Sequence, residues 1–367
     1  MQKALVVGGS GVTGIHIVNG LLARDYEVTV LNRGMHAAEF SRGVECLQAN
    51  PYEKEALLPV LEGRTFDLAV IAYGRLRHVM KSLVGKTERI ISVGGAAPVY
   101  KGWGEMMAAN PWETTRPTPL FLSETHALAT AETKDPFSMA VRFTETELFA
   151  AHQQGLFNIT HFRYPLVYGP NNICPAEWGL IRRARDKRAP LILPDGGLAI
   201  VSRGYAENVA HAVLLAVDKP RESAGETYNV CDERLLYNHE WVSLVGEILQ
   251  HRFEPVDIPF DCLPSGFRAT PPQLLYRHHC VMDLSRLKKL GYRDVVSVEH
   301  ALEKTVHWYM NNPLPAEGEV EQNLGDPFDY SYEDALLKLW HAHKNQFAEQ
   351  LEQLPSVKVV WKHPYQH

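Results

Sequence analysis

The chain has 367 residues, 45% of them apolar and 22% charged, with a formal net charge of −6 at pH 7. This is ordinary globular composition for one large domain or two closely joined ones, and the mild negative charge argues against a nucleic-acid partner. The five cysteines are scattered without a CxxC pair, which favours free thiols in a reducing compartment over a disulfide framework. Because no apolar stretch approaches the ~20 residues that span a bilayer and no cleavable signal is recognisable, we expect a cytoplasmic protein without a membrane partner.

Short β-branched runs alternate with helical segments over the first 165 residues, which predicts βαβ units around a parallel sheet. The predicted strands are 4–7, 28–31, 44–47, 68–72, 89–93 and 159–163, and a helix over 12–23 joins the first two. The proline-rich stretch 100–136 is expected to form a long loop over the carboxyl edge of the sheet, followed by a helix over 137–153.

The second half of the chain mixes short helices with proline-rich turns. Its pattern predicts helices over 204–217, 238–250 and 283–290 and a strand over 227–230. Ser331, with Asp334 three residues later, is expected to cap a helix of about twenty residues that ends near Leu351. The segment 357–361 is strand-like.

Three glycines, Gly8, Gly11 and Gly14, stand directly after the first strand and open the first helix. Glycine at these places permits a tight turn, lets a pyrophosphate approach the backbone, and lets helix and strand pack closely. The free N–H groups of the helix start then attract phosphate. This strand–turn–helix context predicts a dinucleotide site, to which the intervening residues are also assigned: Ser10, Val12 and Thr13.

The second predicted strand ends at Asn32 and Arg33, where sites that prefer NAD usually have an acidic residue for the ribose 2′-hydroxyl. A neutral amide beside a guanidinium suits a 2′-phosphate instead. The sequence therefore favours NADP(H) over NAD(H) as the cofactor, although Arg33 as a solvated loop residue is the alternative.

From about residue 3 to 312 the chain resembles the extended short-chain dehydrogenase/reductase family, the NAD-dependent epimerase/dehydratase group. The segments that carry the resemblance are GGSGVTG, NRG, IAYG, ISVGGAAPVY, FRYPLVYGP and GETYNV. It implies an α/β fold of the Rossmann type, a doubly wound parallel sheet of about seven strands with a smaller C-terminal substrate lobe. We expect residues 1–165, with 200–232 returning, to form the NADP-binding domain, 166–315 the substrate lobe and 316–367 a helical extension.

The resemblance also assigns further residues to the cofactor. Asn50 would lie near the adenine, Ala72, Tyr73 and Gly74 along the middle of the cofactor, and Tyr164, Pro165 and Val167 at the nicotinamide end. Ser92 completes the predicted cofactor residues. A homodimer through the helices beside the fourth and fifth strands is expected by the same resemblance.

Active members of the family use a Ser or Thr together with a YxxxK pair, in which the Tyr transfers the proton. Here the corresponding positions are Ala96, Phe137 and Val141. No Tyr and Lys with this spacing occur between 120 and 155, and the neighbouring Arg142 has too high a pKa for proton transfer. The sequence therefore predicts an atypical member without the usual acid–base set.

Other side chains are candidates for the missing proton transfer. We name Tyr100 and His126 as the catalytic candidates. The alternative for Tyr100 is an aromatic ring packed under the long loop, and the alternative for His126 is a surface or hydrogen-bonded histidine. Lys101 and Tyr73 are weaker ones. A basic cluster over 182–188 is expected to be a solvated helix face rather than an anion site, and His278–Cys280 with Asp283 fits no common zinc pattern, so no metal is predicted.

We therefore expect an NADP(H)-dependent oxidoreductase that acts on a small apolar or aromatic carbonyl or alcohol. Two alternatives stay open. One is a non-redox lyase or isomerase that keeps the cofactor as a scaffold or transient hydride store, and the other is a catalytically silent protein that senses NADP(H).

Overall fold

The computed structural model describes residues 1–34, 39–72, 74–95, 99–102, 120–130, 133, 135–263, 267, 271, 274–275, 278–356 and 365. Seven strands form one parallel sheet: β1 (Lys3–Val7), β2 (Glu27–Asn32), β3 (Glu45–Gln48), β4 (Leu68–Ile71), β5 (Arg89–Gly95), β6 (Asn158–Tyr164) and β10 (Thr227–Asn229). Their spatial order is β3-β2-β1-β4-β5-β6-β10. Two further parallel pairs join β7 (Leu166–Tyr168) to β9 (Arg203–Tyr205) and β8 (Pro190–Ile192) to β11 (Glu254–Val256).

The central strand β1 is apolar on both faces because helices cover the sheet from both sides. Ala4 to Val7 are fully buried, and Val6 lies opposite Val30 of β2 and Val70 of β4. A continuous apolar run of this kind fits a parallel strand at the centre of a sheet. The register brings the carboxyl ends of β1, β2 and β4 to the same edge.

Eleven α-helices lie in the described part of the chain. They are α1 (Gly14–Leu22), α2 (Lys54–Val60), α3 (Leu76–Ser82), α4 (Pro136–Gln153), α5 (Trp178–Arg185), α6 (Ala206–Asp218), α7 (Asn238–Leu249), α8 (Ser285–Lys289), α9 (Val298–Asn311), α10 (Glu319–Asn323) and α11 (Tyr330–Glu352). One face of the sheet packs against α1 and α6 through Ile17 and Val213, and the other packs against α2, α3 and α4 through Leu57, Val79 and Leu148. None of the described helices is long and apolar enough to cross a membrane.

A second apolar core lies under α5, α7 and α9, where Trp178, Trp241 and Tyr309 are buried. Together with the main sheet it gives the predicted fold class, an α/β Rossmann-type arrangement with a seven-stranded parallel sheet, which is confirmed. The division into domains stays a prediction, although β10 does join the main sheet beside β6.

Two local predictions are wrong. The helix expected from 204 begins only at Ala206, because Arg203–Tyr205 pairs as a strand with Leu166–Tyr168. The last helix is capped by Asp329 rather than Ser331, because the Asp329 carboxylate accepts the backbone N–H of Tyr332 at 3.1 Å. The strand-like segment 357–361 lies outside the described part of the chain.

The basic cluster over 182–188 is a solvated face only in part, because Arg185 and Lys187 are exposed but the other three arginines are paired. Arg183 is fully buried, with N···O distances of 2.5 Å to both Asp326 and Glu333. Arg182 contacts Glu321 at 2.7 Å, and Arg188 contacts Glu333 at 3.2 Å. Because removing one member of a buried ion pair is strongly destabilising, these contacts fix the C-terminal segment onto the lobe.

Candidate functional site

The glycine loop between β1 and α1 has the geometry that its sequence predicts. Gly8 has a φ of +88°, a conformation that favours glycine. A Cβ on Gly14 would lie 2.2 Å from the Gly8 carbonyl oxygen, so that this glycine is needed for close packing of the helix start. A Cβ on Gly11 would meet only the Gly8 carbonyl oxygen, at 3.4 Å, which leaves room for a ligand above the loop.

The start of α1 presents polar backbone groups to this space. Among the described residues, the N–H groups of Val12 and Thr13 have no hydrogen-bond acceptor, as is general for the first turn of a helix. The helix dipole adds partial positive charge at the same place. A pyrophosphate would supply both the acceptors and the negative charge, so the loop fits the phosphates of a dinucleotide.

The end of β2 carries the residues expected to select the cofactor. The Asn32 carboxamide oxygen accepts the N–H of Gly34 at 2.8 Å, and the Gln48 amide donates to the Arg33 carbonyl at 3.2 Å. Both bonds shape the turn, and the Arg33 side chain is exposed. No carboxylate follows this strand at 32–34, the place where an acidic residue would oppose a 2′-phosphate.

A cleft of about 530 Å³ opens at the carboxyl ends of β4, β5 and β6. Five of the residues predicted from the sequence to contact the cofactor line it: Ala72, Gly74, Tyr164, Pro165 and Val167. The other described lining residues are Tyr52, Leu76, Val93, Gly94, Gly95, Phe137, Leu166, Asn172, Cys174 and Ala176. None of these described residues is charged at neutral pH, so the cleft presents a mainly apolar wall with a few polar atoms.

Tyr164 connects the cleft with the glycine loop. Its hydroxyl is buried and faces Thr13, but it makes no hydrogen bond of ordinary geometry within the described residues. Burial raises the pKa of Tyr164, and Thr13 opposes this only in part. A buried hydroxyl without a partner is unfavourable, and a ligand with an acceptor in the cleft would satisfy it.

Two further predicted cofactor residues, Asn50 and Ser92, lie apart from the cleft lining. The Asn50 amide donates to Glu53 at 2.7 Å, and its oxygen accepts the N–H of Tyr52 at 3.1 Å, so Asn50 adjoins one lining residue. Ser92 is fully buried, 2.8 Å from His161 Nδ1. Tyr73 and Ala96 lie outside the described residues.

Tyr100, named as a catalytic candidate, belongs to a buried polar network. Its hydroxyl donates to Asn229 at 2.6 Å and accepts from Arg163 at 2.8 Å. Burial raises the pKa of Tyr100 to about 12, against the opposing effect of the Arg163 charge. The side chain is 1% exposed and is absent from the cleft lining, so this geometry supports a packing role, and a catalytic role stays a prediction.

The network continues to α4 through one carboxylate. Arg163 donates two bonds to Glu145, at 2.9 and 2.8 Å, and His161 Nε2 lies 3.3 Å from the same carboxylate. Burial by itself would raise the pKa of Glu145, but the hydrogen bonds and charges of His161 and Arg163 outweigh it and lower this pKa to about 2. The network therefore fixes α4, with Phe137 at its start, to strand β6.

His126, the second catalytic candidate, is half-buried, and its ring centroid lies 6.0 Å from that of Tyr100. It also does not line the cleft among the described residues. No group of three or more His, Cys, Asp or Glu side chains that could hold a metal ion occurs in the described ranges. At the segment 278–280, for which no metal is predicted, His279 Nδ1 accepts the backbone N–H of Ile200 at 3.0 Å.

The two triad positions on α4 that the structure describes occupy different surroundings. Phe137 is 63% exposed and lines the cleft. Val141 is half-buried against the cluster that contains Val99 and Tyr100. Asp135 caps the helix by accepting the Ser138 N–H at 2.7 Å, which fixes the register of both residues. A phenyl ring therefore stands in the cleft at the position where the family resemblance predicts the catalytic tyrosine.

Sequence reasoning missed the polar side of the cleft after β7. Asn172 donates to the Val167 carbonyl at 2.8 Å, and Cys174 lines the cleft beside it. Glu177 is 1% exposed, and neither carboxylate oxygen has a hydrogen-bond partner in the described part of the chain. Burial raises the pKa of Glu177 to about 7, although its own backbone N–H and Arg203 act in the opposite direction. No motif marks these residues, because their proximity to the cleft is a tertiary feature.

Comparison with known proteins finds similarity to one family and to several solved structures. The model of the NAD dependent epimerase/dehydratase family matches residues 113–231. The predicted resemblance to that family is confirmed.

Relatives of this epimerase/dehydratase type match most of the chain. UDP-N-acetyl-alpha-D-glucosaminuronate decarboxylase from Bacillus cytotoxicus is 23% identical over 329 residues, which are 84% of this chain and 98% of that protein. UDP-glucose 4-epimerase from Thermotoga maritima, solved with UDP-glucose, superposes with a TM-score of 0.67 at 17% identity, covering 84% of this chain and 99% of that one. UDP-glucose 4-epimerase from Thermus thermophilus, solved with NAD, gives a TM-score of 0.64 at 20% identity over the same shares.

Proposed function

We propose that the protein is an NADP(H)-dependent oxidoreductase that acts on a small apolar or aromatic carbonyl or alcohol. The observation that carries this proposal is the convergence of five predicted cofactor residues on one cleft whose described lining is uncharged. The bound nicotinamide would supply or accept a hydride there. Relatives that bind NAD or act on sugar nucleotides support the cofactor class.

The protein residues would hold the two ends of the cofactor separately. The glycine loop and the start of α1 would bind the pyrophosphate, and Arg33 would pair with the 2′-phosphate. Tyr164, Pro165 and Val167 would pack at the nicotinamide end, where the Tyr164 hydroxyl would gain a partner.

The character of the cleft favours an uncharged substrate over a sugar nucleotide. A nucleoside diphosphate group is recognised by arginine, lysine or helix N-termini. The described cleft lining contains no arginine or lysine, and Arg203 nearby is buried against Trp241 and donates to Asn238 at 2.7 Å. Phe137 and Leu166 instead offer apolar contact, which suits an apolar or ring-bearing molecule.

Proton transfer must use groups other than a tyrosine and a lysine on α4. Tyr100 and His126 remain proposed candidates. Cys174 is a third, because it lines the cleft, and burial together with the nearby Glu177 carboxylate raises the pKa of its thiol and so keeps the proton available for donation. The activity of three variants toward a substrate identified in the panel separates these candidates. Activity that is retained in Tyr100→Phe and His126→Ala but lost in Cys174→Ala would identify the Cys174 thiol as the proton donor.

The phenyl ring at position 137 is also compatible with a second function, in which no proton is transferred at this position. A protein that binds the cofactor without net hydride transfer, as a lyase, an isomerase or a sensor, has no need of the tyrosine hydroxyl. Such a protein would bind NADPH tightly and leave it unoxidised with every carbonyl compound.

The test begins with fluorescence titrations of the protein with NADPH and NADH, followed by mixing with a panel of ketones, aldehydes and enones. We expect tighter binding of NADPH and its oxidation by at least one apolar panel member. Arg33→Gln should weaken NADPH binding about 10- to 100-fold, since a hydrogen bond to a charged group contributes about 1.5–3 kcal/mol, and should leave NADH unchanged. Arg42→Gln, at an exposed arginine paired with Asp25, is the matched control. Absence of dinucleotide binding would overturn the proposal.

A further inference from the structure

A histidine lies directly behind one wall of the cofactor cleft. His161 on β6 stands opposite Ser92 on β5, and both side chains are buried. Gly94, two residues further along β5, lines the cleft. A Cβ on Gly94 would lie 2.9 Å from both Cε1 and Nε2 of His161, so any larger residue at 94 would press on this edge of the ring. The Nε2 edge is therefore separated from the cleft by a residue that has no side chain.

The Nε2 atom is the nitrogen of this ring that lacks a hydrogen bond. It lies 3.3 Å from a carboxylate oxygen of Glu145, but it makes no hydrogen bond of ordinary geometry within the described residues. Both Glu145 oxygens accept from Arg163 instead, at 2.9 and 2.8 Å. Because a buried polar atom without a partner is unfavourable, a polar atom of a ligand or of a water molecule in the cleft would stabilise Nε2.

Ser92 holds the other ring nitrogen in either protonation state. Its Oγ is 2.8 Å from His161 Nδ1 and 3.4 Å from the Thr160 carbonyl oxygen. The hydroxyl can donate to a bare Nδ1, or it can accept from Nδ1–H while it donates to the Thr160 carbonyl. The Glu145 carboxylate faces the positive charge of the doubly protonated ring. The ring can therefore gain or lose the Nε2 proton without losing its Nδ1 partner.

This position supplies a proton-transfer group beside the cleft, which Phe137 and Val141 on α4 do not. An imidazole ordinarily changes its charge between about pH 5 and 8, the range in which general acid–base catalysis is most effective. The Tyr100 hydroxyl, in contrast, is already bonded on both sides, to Asn229 and to Arg163.

We propose that His161 is the proton source of the cleft and exchanges its Nε2 proton with the substrate oxygen through one water molecule beside Gly94. The inference rests on the proposed reductase function. When the carbonyl carbon gains the hydride, the π electron pair of the C=O bond moves to oxygen, and this oxygen takes a proton from the water. The water takes the Nε2 proton in the same step. His161 regains a proton from solvent after the product leaves, so each carbonyl consumes one hydride and one proton.

Steady-state kinetics of His161→Gln test the proposal with NADPH and the carbonyl compound identified in the panel. Glutamine is polar and similar in length, but it transfers no proton near neutral pH. We expect kcat to fall about 100-fold or more, since general acid–base catalysis contributes about 10²–10⁴-fold, and the Kd of NADPH to stay unchanged. His152→Gln is the matched control. His152 is a half-buried histidine on α4 whose Nδ1 accepts the Ile159 N–H at 3.3 Å, and it does not line the cleft among the described residues.

Ser92→Ala decides the question if His161→Gln does not fold. It removes the hydroxyl that positions Nδ1 and changes the buried volume little. We expect a smaller fall in kcat than for His161→Gln, with an unchanged Kd of NADPH. Unchanged kcat in whichever of the two variants is folded would overturn the proposal. Parallel losses of kcat, NADPH binding and melting temperature would also overturn it, because they would show that the ring only supports packing.

Nuclear magnetic resonance of the protein labelled at histidine Cε1 gives a readout that needs no turnover. Binding of NADPH should shift the His161 Cε1–H resonance, because the ring edge adjoins the cleft, and should leave the His152 resonance in place. The two glutamine variants assign these signals. An unshifted His161 resonance in a protein that binds NADPH would overturn this inference alone. A wild-type protein that binds NADPH and oxidises it with no panel member would refute the proposed reductase, and this inference with it.

Discussion

The buried carboxylate of Glu145 offers a quantitative test of how α4 is held to the sheet. Glu145→Gln keeps the shape of the side chain and removes the charge that pairs with Arg163 at 2.8 Å. Both partners are 3% exposed, so Arg163 would remain as a buried charge without a counter-ion. Breaking a buried pair in this way costs about 3–5 kcal/mol.

The shifted pKa gives an independent magnitude for the same interaction. The Glu145 carboxyl has a pKa of about 2 in the folded protein against 4.5 in its ordinary state. At about 1.4 kcal/mol per pH unit this difference corresponds to roughly 3 kcal/mol. Because the folded pKa is depressed, this stability is fully present above pH 4.5 and is lost as the pH falls toward 2.

Urea denaturation at pH 7 measures the change, and Asp218→Asn is the control. Asp218 pairs with Arg24 at 2.6 Å, but the two side chains are 43% and 30% exposed, so its loss should cost less than about 1 kcal/mol. Repeating the comparison of wild type with Glu145→Gln at lower pH should show the difference shrinking below pH 4.5. Equal destabilisation in Glu145→Gln and Asp218→Asn would refute the assignment of the network as a structural clamp.

Three further expectations follow from the site and its surroundings. Gly14→Ala should destabilise the protein in thermal unfolding, because its Cβ would lie 2.2 Å from a carbonyl oxygen, whereas Gly11→Ala should fold normally and weaken NADPH binding in the fluorescence titration. Burial raises the pKa of Glu177 to about 7, so the wild-type protein should lose about 3 kcal/mol of stability as the pH rises from 4.5 to about 7. Glu177→Gln should remove this pH dependence. A melting temperature that depends on pH in the same way in both proteins would contradict this. Phe137→Tyr should alter stability by less than about 1 kcal/mol, because the ring is 63% exposed, and a larger loss by urea denaturation would show that the ring is packed.

The sequence by itself determined the elements whose signals are local. The glycine pattern at 8, 11 and 14 required a tight turn and a close helix, and the structure has both. The short apolar run at 4–7 predicted a strand, and the structure buries all four residues at the centre of the parallel sheet, where both faces are covered. The sequence likewise shows phenylalanine at 137 and valine at 141, whose side chains carry no group that transfers a proton.

Only the tertiary structure decided how distant polar residues are paired. Tyr100 stood at the start of the predicted loop and was named for catalysis, yet its hydroxyl donates to Asn229, 129 residues away, in the interior. The arginines of α5 were expected in solvent, but Arg183 meets carboxylates 143 and 150 residues along the chain. Sequence periodicity reports which face of an element is apolar and not which remote group neutralises a charge. That pairing depends on the packing of whole elements, because a buried charge is stable only where the fold brings its counter-ion within reach.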